Sequence, residues 1–186
     1  MFAYDLKDGA RLILFHERHA DALYHLTERN RERLRLWLPW VDQTTTPAAT
    51  RGFIRGTINQ FAEGNGFQAG IWQDAQIAGT IGYHYIDEVN GKTELGYWIG
   101  AEFEGRGLIT RACRALIDYA FTQLNLQRIE IRCAVGNERS RAVALRLGMR
   151  HEGTLRQVQW LNDRFVDHEI YGLLVGEWRG TSEVGG

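Results

Sequence analysis

The stretch Glu104-Gly105-Arg106-Gly107-Leu108-Ile109-Thr110 constrains this chain most, because of what flanks it. Ahead of it, Thr93-Glu94-Leu95-Gly96-Tyr97-Trp98-Ile99 is rich in aromatic and β-branched residues and predicts a strand. Behind it, apolar residues recur at Leu108, Ile109, Ala112, Cys113, Leu116, Ile117, Ala120, Phe121 and Leu124, which draws one wide stripe down a helix. A strand, two glycines and a helix N-terminus leave several backbone N–H groups without helical partners, at the positive end of the helix dipole. Such a site suits phosphate oxygens, and a residue without Cβ lets them approach the backbone. The expectation is a cofactor carrying a pyrophosphate. A glycine-rich turn with no ligand fits the same short pattern.

Two nucleotide motifs are excluded. The dinucleotide fingerprint needs a third glycine, and Thr110-Arg111 follows instead. The P-loop needs Gly-Lys-Ser/Thr, and the lysines of the chain are Lys7 and Lys92, against 20 arginines.

At 186 residues the chain is expected to form a single domain over 1–186, with its core at about 11–178 and a frayed tail at 181–186. The net charge of -1 argues against nucleic-acid and membrane-surface partners, which need a basic footprint. No apolar run reaches the roughly 20 residues of a spanning helix. The N-terminal segment from Met1 to Asp8 lacks the basic-then-apolar pattern of a signal peptide. Cys113 and Cys133 fall in apolar segments and read as free buried thiols, so a cytoplasmic location is expected.

Strands are predicted at Arg11 to Phe15, Phe67 to Trp72, Ile77 to Tyr85, around Glu94, Arg128 to Val135, Met149 to Trp160 and Phe165 to Leu174. Helices are predicted at His19 to Asn30, Arg31 to Leu38, Thr46-Pro47 to Gly64, behind Gly107, and at Arg139 to Leu147 with Gly148 as its cap. Turns fall at Gln73-Asp74-Ala75, Asn90-Gly91 and Asn162-Asp163. An antiparallel meander followed by βαβαββ makes a mixed α/β fold, a mostly antiparallel sheet with helices on both faces.

The loop, read as Glu104-Gly105-Arg106-Gly107-Leu108-Ile109, resembles the pyrophosphate-binding loop of the GCN5-related N-acetyltransferases, Gln/Arg-x-x-Gly-x-Gly/Ala. Asn137-Glu138-Arg139-Ser140 and the Leu147-Gly148-Met149 helix end resemble that family's next segment. The run from Asn30 to Trp40, Glu94-Leu95-Gly96-Tyr97-Trp98 and Val135-Gly136-Asn137 resemble the branch that acetylates ribosomal-protein N-termini, the RimJ/RimL-type enzymes. The resemblance runs from Arg11 to Trp178. It implies acetyl-CoA as co-substrate, no metal, and an acceptor that is a protein N-terminus, or else a small amine such as a polyamine or antibiotic. A homodimer is the family expectation. A non-catalytic acyl-CoA-binding module is the rival from another class. Glu104 and Ile109 depart from the loop pattern; Ile109 is harmless if it packs inward, and Glu104 only if its charge points away from a diphosphate.

The same resemblance nominates Trp98, Ile99, Gly105, Arg106, Gly107, Leu108, Ile109, Thr110, Asn137 and Ser140 for the cofactor, and Trp37 and Glu94 for the acceptor. Arg106, Arg111 and Arg146 are candidate phosphate contacts. Many members of that superfamily carry a tyrosine seven residues after the asparagine as the acid for the thiolate, and Ala144 stands there. Ser140 matches the serine of the Rim branch and is the candidate donor to the departing thiolate; an ordinary helix-start serine is the competing reading. Glu94 shares a strand face with Gly96 and Trp98 and is the candidate for ammonium capture or proton uptake, against a plain solvent-facing carboxylate. Gln159 stands where some relatives have an acid, which leaves Asp167, His168 and Glu169 as alternatives. Direct attack of a neutral amine on a thioester needs no enzyme nucleophile, in keeping with the lack of a Ser or Cys in a nucleophile pattern.

Overall fold

The computed structural model describes residues 3–180, so the tail expected at 181–186 lies outside them. Eight strands form one sheet: β1 (Ala3–Lys7), β2 (Ala10–Leu14), β3 (Phe67–Gln73), β4 (Gln76–Asp87), β5 (Lys92–Ile99), β6 (Arg128–Ala134), β7 (Arg150–Leu161) and β8 (Arg164–Leu174). Their order is β1-β2-β3-β4-β5-β6-β8-β7, antiparallel throughout except for the β5–β6 pair. Five helices join them: α1 (Ala20–Arg29), α2 (Arg31–Arg35), α3 (Pro47–Ala62), α4 (Leu108–Thr122) and α5 (Glu138–Arg146).

Local chemistry sets most boundaries. Thr46 accepts from the Ala49 N–H at 3.2 Å ahead of Pro47, which starts α3. Asp74-Ala75 and Asn162-Asp163 hold positive φ at both positions, the primed geometry of two-residue hairpins. The β4–β5 hairpin turns through four residues, 88–91, with Asp87 accepting from the Asn90 N–H at 3.0 Å. Strand β1 escaped the sequence reading. Only Leu6 of its five residues is buried, so it carries almost no alternation to detect.

Side chains alternate between two covered faces. From β4 and β5, Tyr83 and Leu95 point at α4, where the Tyr83 hydroxyl donates to the Leu116 carbonyl. The nine buried residues of α4 include every predicted stripe position except Leu124, which packs against the core partly buried. Each fully buried Leu or Ile there is worth about 1.5–3 kcal/mol. On the opposite face α1 and α3 pack on each other, and over β4 and β3.

The parallel pair positions the site. Strand β5 reaches β6 through the α4 crossover, and their ladder runs from Lys92–Arg128 to Leu95–Ile131. Beyond it, Gly96 to Ile99 pair with β4 and Arg132 to Ala134 pair with β8. The two strands therefore part, and the sheet opens a wedge at its centre.

Candidate active site

A cavity of about 520 Å³ lies at this wedge, between the sheet and the α1–α3 layer, with Leu23 and Thr27 of α1 and Thr50 and Phe53 of α3 in its lining. Its volume is within the size range of small-molecule sites. Its floor crosses from Gln68 on β3 through Thr80 and His84 on β4, Glu94, Gly96 and Trp98 on β5 and Arg132 on β6 to His168 on β8. Trp37 and Trp40 wall it from the segment after α2, with Trp40 and Trp98 ring centroids 5.9 Å apart. Asn137 and Ser140 close the end near α5.

Of the residues nominated from sequence, Trp37, Glu94, Trp98, Asn137 and Ser140 line this one cavity. Ile99 and the loop from Gly105 to Thr110 lie outside its lining, next to it along the chain. Leu108 and Ile109 bury their side chains in the core, so the loop has only backbone to offer at those positions. Gly105 and Gly107 have φ of +74° and +69°, and a Cβ on either would meet no protein atom within 4 Å. The first α4 bond runs from the Arg111 N–H to the Gly107 carbonyl at 3.0 Å, which leaves the N–H groups of Leu108, Ile109 and Thr110 without helical acceptors. Left-handed glycines, open space above them and orphan donors together make a cradle that fits a diphosphate.

Glu104 does not disturb that cradle. Its carboxylate is paired with Arg33 of α2 and Arg139 of α5. Arg33 also donates to the Ile99 carbonyl, so that oxygen is engaged by the protein itself. Among the three candidate arginines, Arg111 donates to the Leu6 and Lys7 carbonyls at 3.1 Å and to Asp8 at 3.0 Å, tying α4 to β1. Arg106 donates to the Glu102 carbonyl at 3.0 Å and lies over the Phe103 ring, while Arg146 is exposed on α5.

Ser140 is not the capping residue of its helix. Asn137 performs the capping, accepting from the Ser140 N–H at 3.2 Å, and the Ser140 hydroxyl meets the Tyr97 hydroxyl at 3.0 Å. Tyr97 was not anticipated, because the resemblance puts the phenol further along α5, where this chain has the fully buried Ala144. The phenol arrives instead from β5. Burial holds its proton firmly on the oxygen at neutral pH. Burial likewise pushes the nearby Cys133 thiol up to about 11, so it is no thiolate.

Glu94 is no surface carboxylate, since its side chain is 17% exposed. Burial raises its pKa; His84 and Arg132 oppose the rise, and Glu130 adds to it. His84 was also missed. Its ring lies so close over Gly96 that a Cβ there would fall 2.1 Å from Nε2, so a side chain at that point would have to displace the ring. Of the alternative bases, Asp167 accepts from the Gln157 N–H at 2.7 Å and Glu169 from the Tyr171 hydroxyl at 2.8 Å, both away from the cavity lining. His168 does line it, 3.0 Å from Gln159, and burial lowers its pKa, which favours the neutral ring.

Residues 11–150 match the family model of the acetyltransferase (GNAT) domain. The chain belongs to the GNAT acetyltransferases. It is 40% identical over 181 residues to the putative ribosomal N-acetyltransferase YdaF of Bacillus subtilis, covering 97% of this chain and 99% of that one. It is 31% identical to the ribosomal-protein-serine acetyltransferase of Escherichia coli over 86% of this chain and 89% of the relative. Among solved structures, RimL, a ribosomal L7/L12 alpha-N-protein acetyltransferase in complex with coenzyme A, superposes with a TM-score of 0.89 at 27% identity, over 92% of this chain and 97% of that one. The mixed, mostly antiparallel GNAT fold and the N-acetyltransferase class expected from the sequence both hold. No helix among the described residues is long and apolar enough to cross a membrane, and no metal-binding cluster occurs among them.

Proposed function

We propose that this GNAT enzyme transfers the acetyl group of acetyl-CoA to the N-terminal amine of a protein, a ribosomal protein being the favoured acceptor, in the cytoplasm. The observation that carries the peptide acceptor is the cavity floor, which crosses five neighbouring strands. At ~4.8 Å per strand that is roughly 19 Å, enough for several extended residues at ~3.3 Å each and longer than a small amine needs.

In this reading the backbone N–H groups around Gly105 to Thr110 hold the pyrophosphate, and the parted strands at Trp98 and Ile99 flank the pantetheine arm, with Asn137 at its far side. The bound thioester supplies the activated acetyl group. Trp37 and Glu94 receive the acceptor, Glu94 drawing in the ammonium and taking up its proton. The neutral nitrogen attacks the thioester carbonyl; the C–N bond forms, and the C–S bond breaks with its electron pair on sulfur. The second proton of the acylated nitrogen passes to that thiolate, so the products are the amide and the free thiol of coenzyme A. Ser140, in hydrogen-bond contact with the Tyr97 hydroxyl, donates to that sulfur.

The reading is tested by ligand-dependent melting and thiol release. Coenzyme A is expected to raise the melting temperature by preferential binding to the folded state, with NAD and ATP far less effective. Ribosomal-protein N-terminal peptides are expected to release thiol from acetyl-CoA faster than polyamines do. Equal stabilisation by NAD, or release with polyamines alone, contradicts it. Ser140→Ala is expected to lower kcat by about tenfold to a hundredfold, the range of one modest donor, while CoA affinity measured by calorimetry stays nearly unchanged.

A further inference from the structure

A line of alternating charges leads into the cavity along β6. Arg128 donates to Glu152 at 2.9 Å and to Glu130 at 2.9 Å. Glu130, 6% exposed, accepts from Arg132 at 2.8 and 3.1 Å. Arg132 then reaches Glu94 at 3.3 Å, so one guanidinium is shared by two carboxylates. Its closer partner is Glu130, and the longer, single contact falls on the carboxylate that faces the cavity.

This geometry sets up a contest. Two carboxylates opposite each other in the β5–β6 ladder, both largely out of water, cannot both stay charged without a cation between them. Burial would raise Glu130, yet its bonds to Arg132 and Arg128 carry it below its ordinary value. Among the described residues, Glu94 has Arg132 as its one arginine partner. The other groups facing it are His84 and Tyr85 from β4, with His168 lining the same cavity from β8.

Resting on the acceptor role given to Glu94 above, we propose that Arg132 is the positioning residue of the acceptor site. By bridging Glu130 and Glu94 it keeps the Glu94 carboxylate charged and aimed into the cavity, and Glu130 limits how much of that charge Glu94 receives. Glu94 is thereby held ready to exchange its weak arginine contact for an incoming ammonium.

The two partners of Arg132 predict shifts of opposite sign, which damage to the fold does not produce. The carboxyl carbon of Glu94, assigned by its loss in Glu94→Gln, is followed by carbon-13 NMR titration of the full chain. In Arg132→Met its midpoint is expected to rise by about one pH unit or more, the usual scale for loss of an adjacent opposite charge. Arg132→Lys is expected to restore most of the shift. In Glu130→Gln, which keeps hydrogen-bonding atoms for Arg128 and Arg132, the midpoint is expected to fall. The acid limb of kcat/KM with a ribosomal-protein N-terminal peptide moves in the same directions. An unmoved midpoint in Arg132→Met, or a rise in Glu130→Gln, overturns the proposal. Failure of the underlying reading looks different: Glu94→Gln itself then keeps full activity while the NMR shifts persist.

Discussion

Gly107→Val is expected to weaken coenzyme A binding on the order of a hundredfold or more while the protein remains folded. Two effects combine. At φ +69° a β-branched residue is strained, which costs on the order of 1–3 kcal/mol if the backbone stays where it is. The new side chain also projects into the open space above the α4 N-terminus, where no protein atom lies within 4 Å of its Cβ. That space is where phosphate oxygens would approach the orphan N–H groups. Losing two hydrogen bonds to a charged group, at about 1.5–3 kcal/mol each, already accounts for the expected factor. Gly107→Ala should fall between the two, with less bulk in the same place. Calorimetry with coenzyme A, beside circular dichroism of the apo proteins, provides the measurement. A folded Gly107→Val protein with wild-type affinity would show that the loop is a structural turn and nothing more.

Glu94→Gln is expected to cost about a hundredfold or more in kcat/KM near neutral pH, the scale of a lost general base. Glutamine keeps the shape and one accepting oxygen but carries no charge and takes no proton. The pH dependence gives the sharper signature. Burial raises the Glu94 carboxyl, so the wild type should lose activity as pH falls through that elevated value and Glu94 gains a proton. The variant lacks this acid limb. Its activity should recover in part as pH rises toward about 8, where more of an N-terminal amine is already neutral. Profiles of kcat/KM from acid to alkaline pH for both proteins decide the matter. If the variant matches wild type throughout, the proton must leave by another route. His168 is then the candidate, since it lines the same cavity and burial favours its neutral form.

The strand before Gly105, the α4 stripe and the Thr46 cap were legible in the sequence because each depends on residues a few positions apart. The glycine loop was legible for the same reason: its signal is a local change from period two to period 3.6 across positive-φ residues. Glu104 was not legible. A carboxylate beside an expected phosphate site reads as a defect until Arg33, 71 residues earlier, and Arg139, 35 residues later, are found holding it.

The same division runs through the site. Sequence alone determined that Ser140 opens a helix and that Glu94 shares a face with Trp98, since strand and helix periods fix which neighbours point the same way. It did not determine that Tyr97, from the other face of β5, meets Ser140 across 43 residues, or that Arg132 divides its charge between Glu130 and Glu94. Nor did it show the parting of β5 from β6, which depends on where the α4 crossover sets the parallel register and where β8 takes over the pairing. Local periodicity decides what an element is and which way its side chains face. Burial, and with it the charge state of a carboxylate like Glu94, depends on which distant segments close over it, and only the tertiary structure decided that.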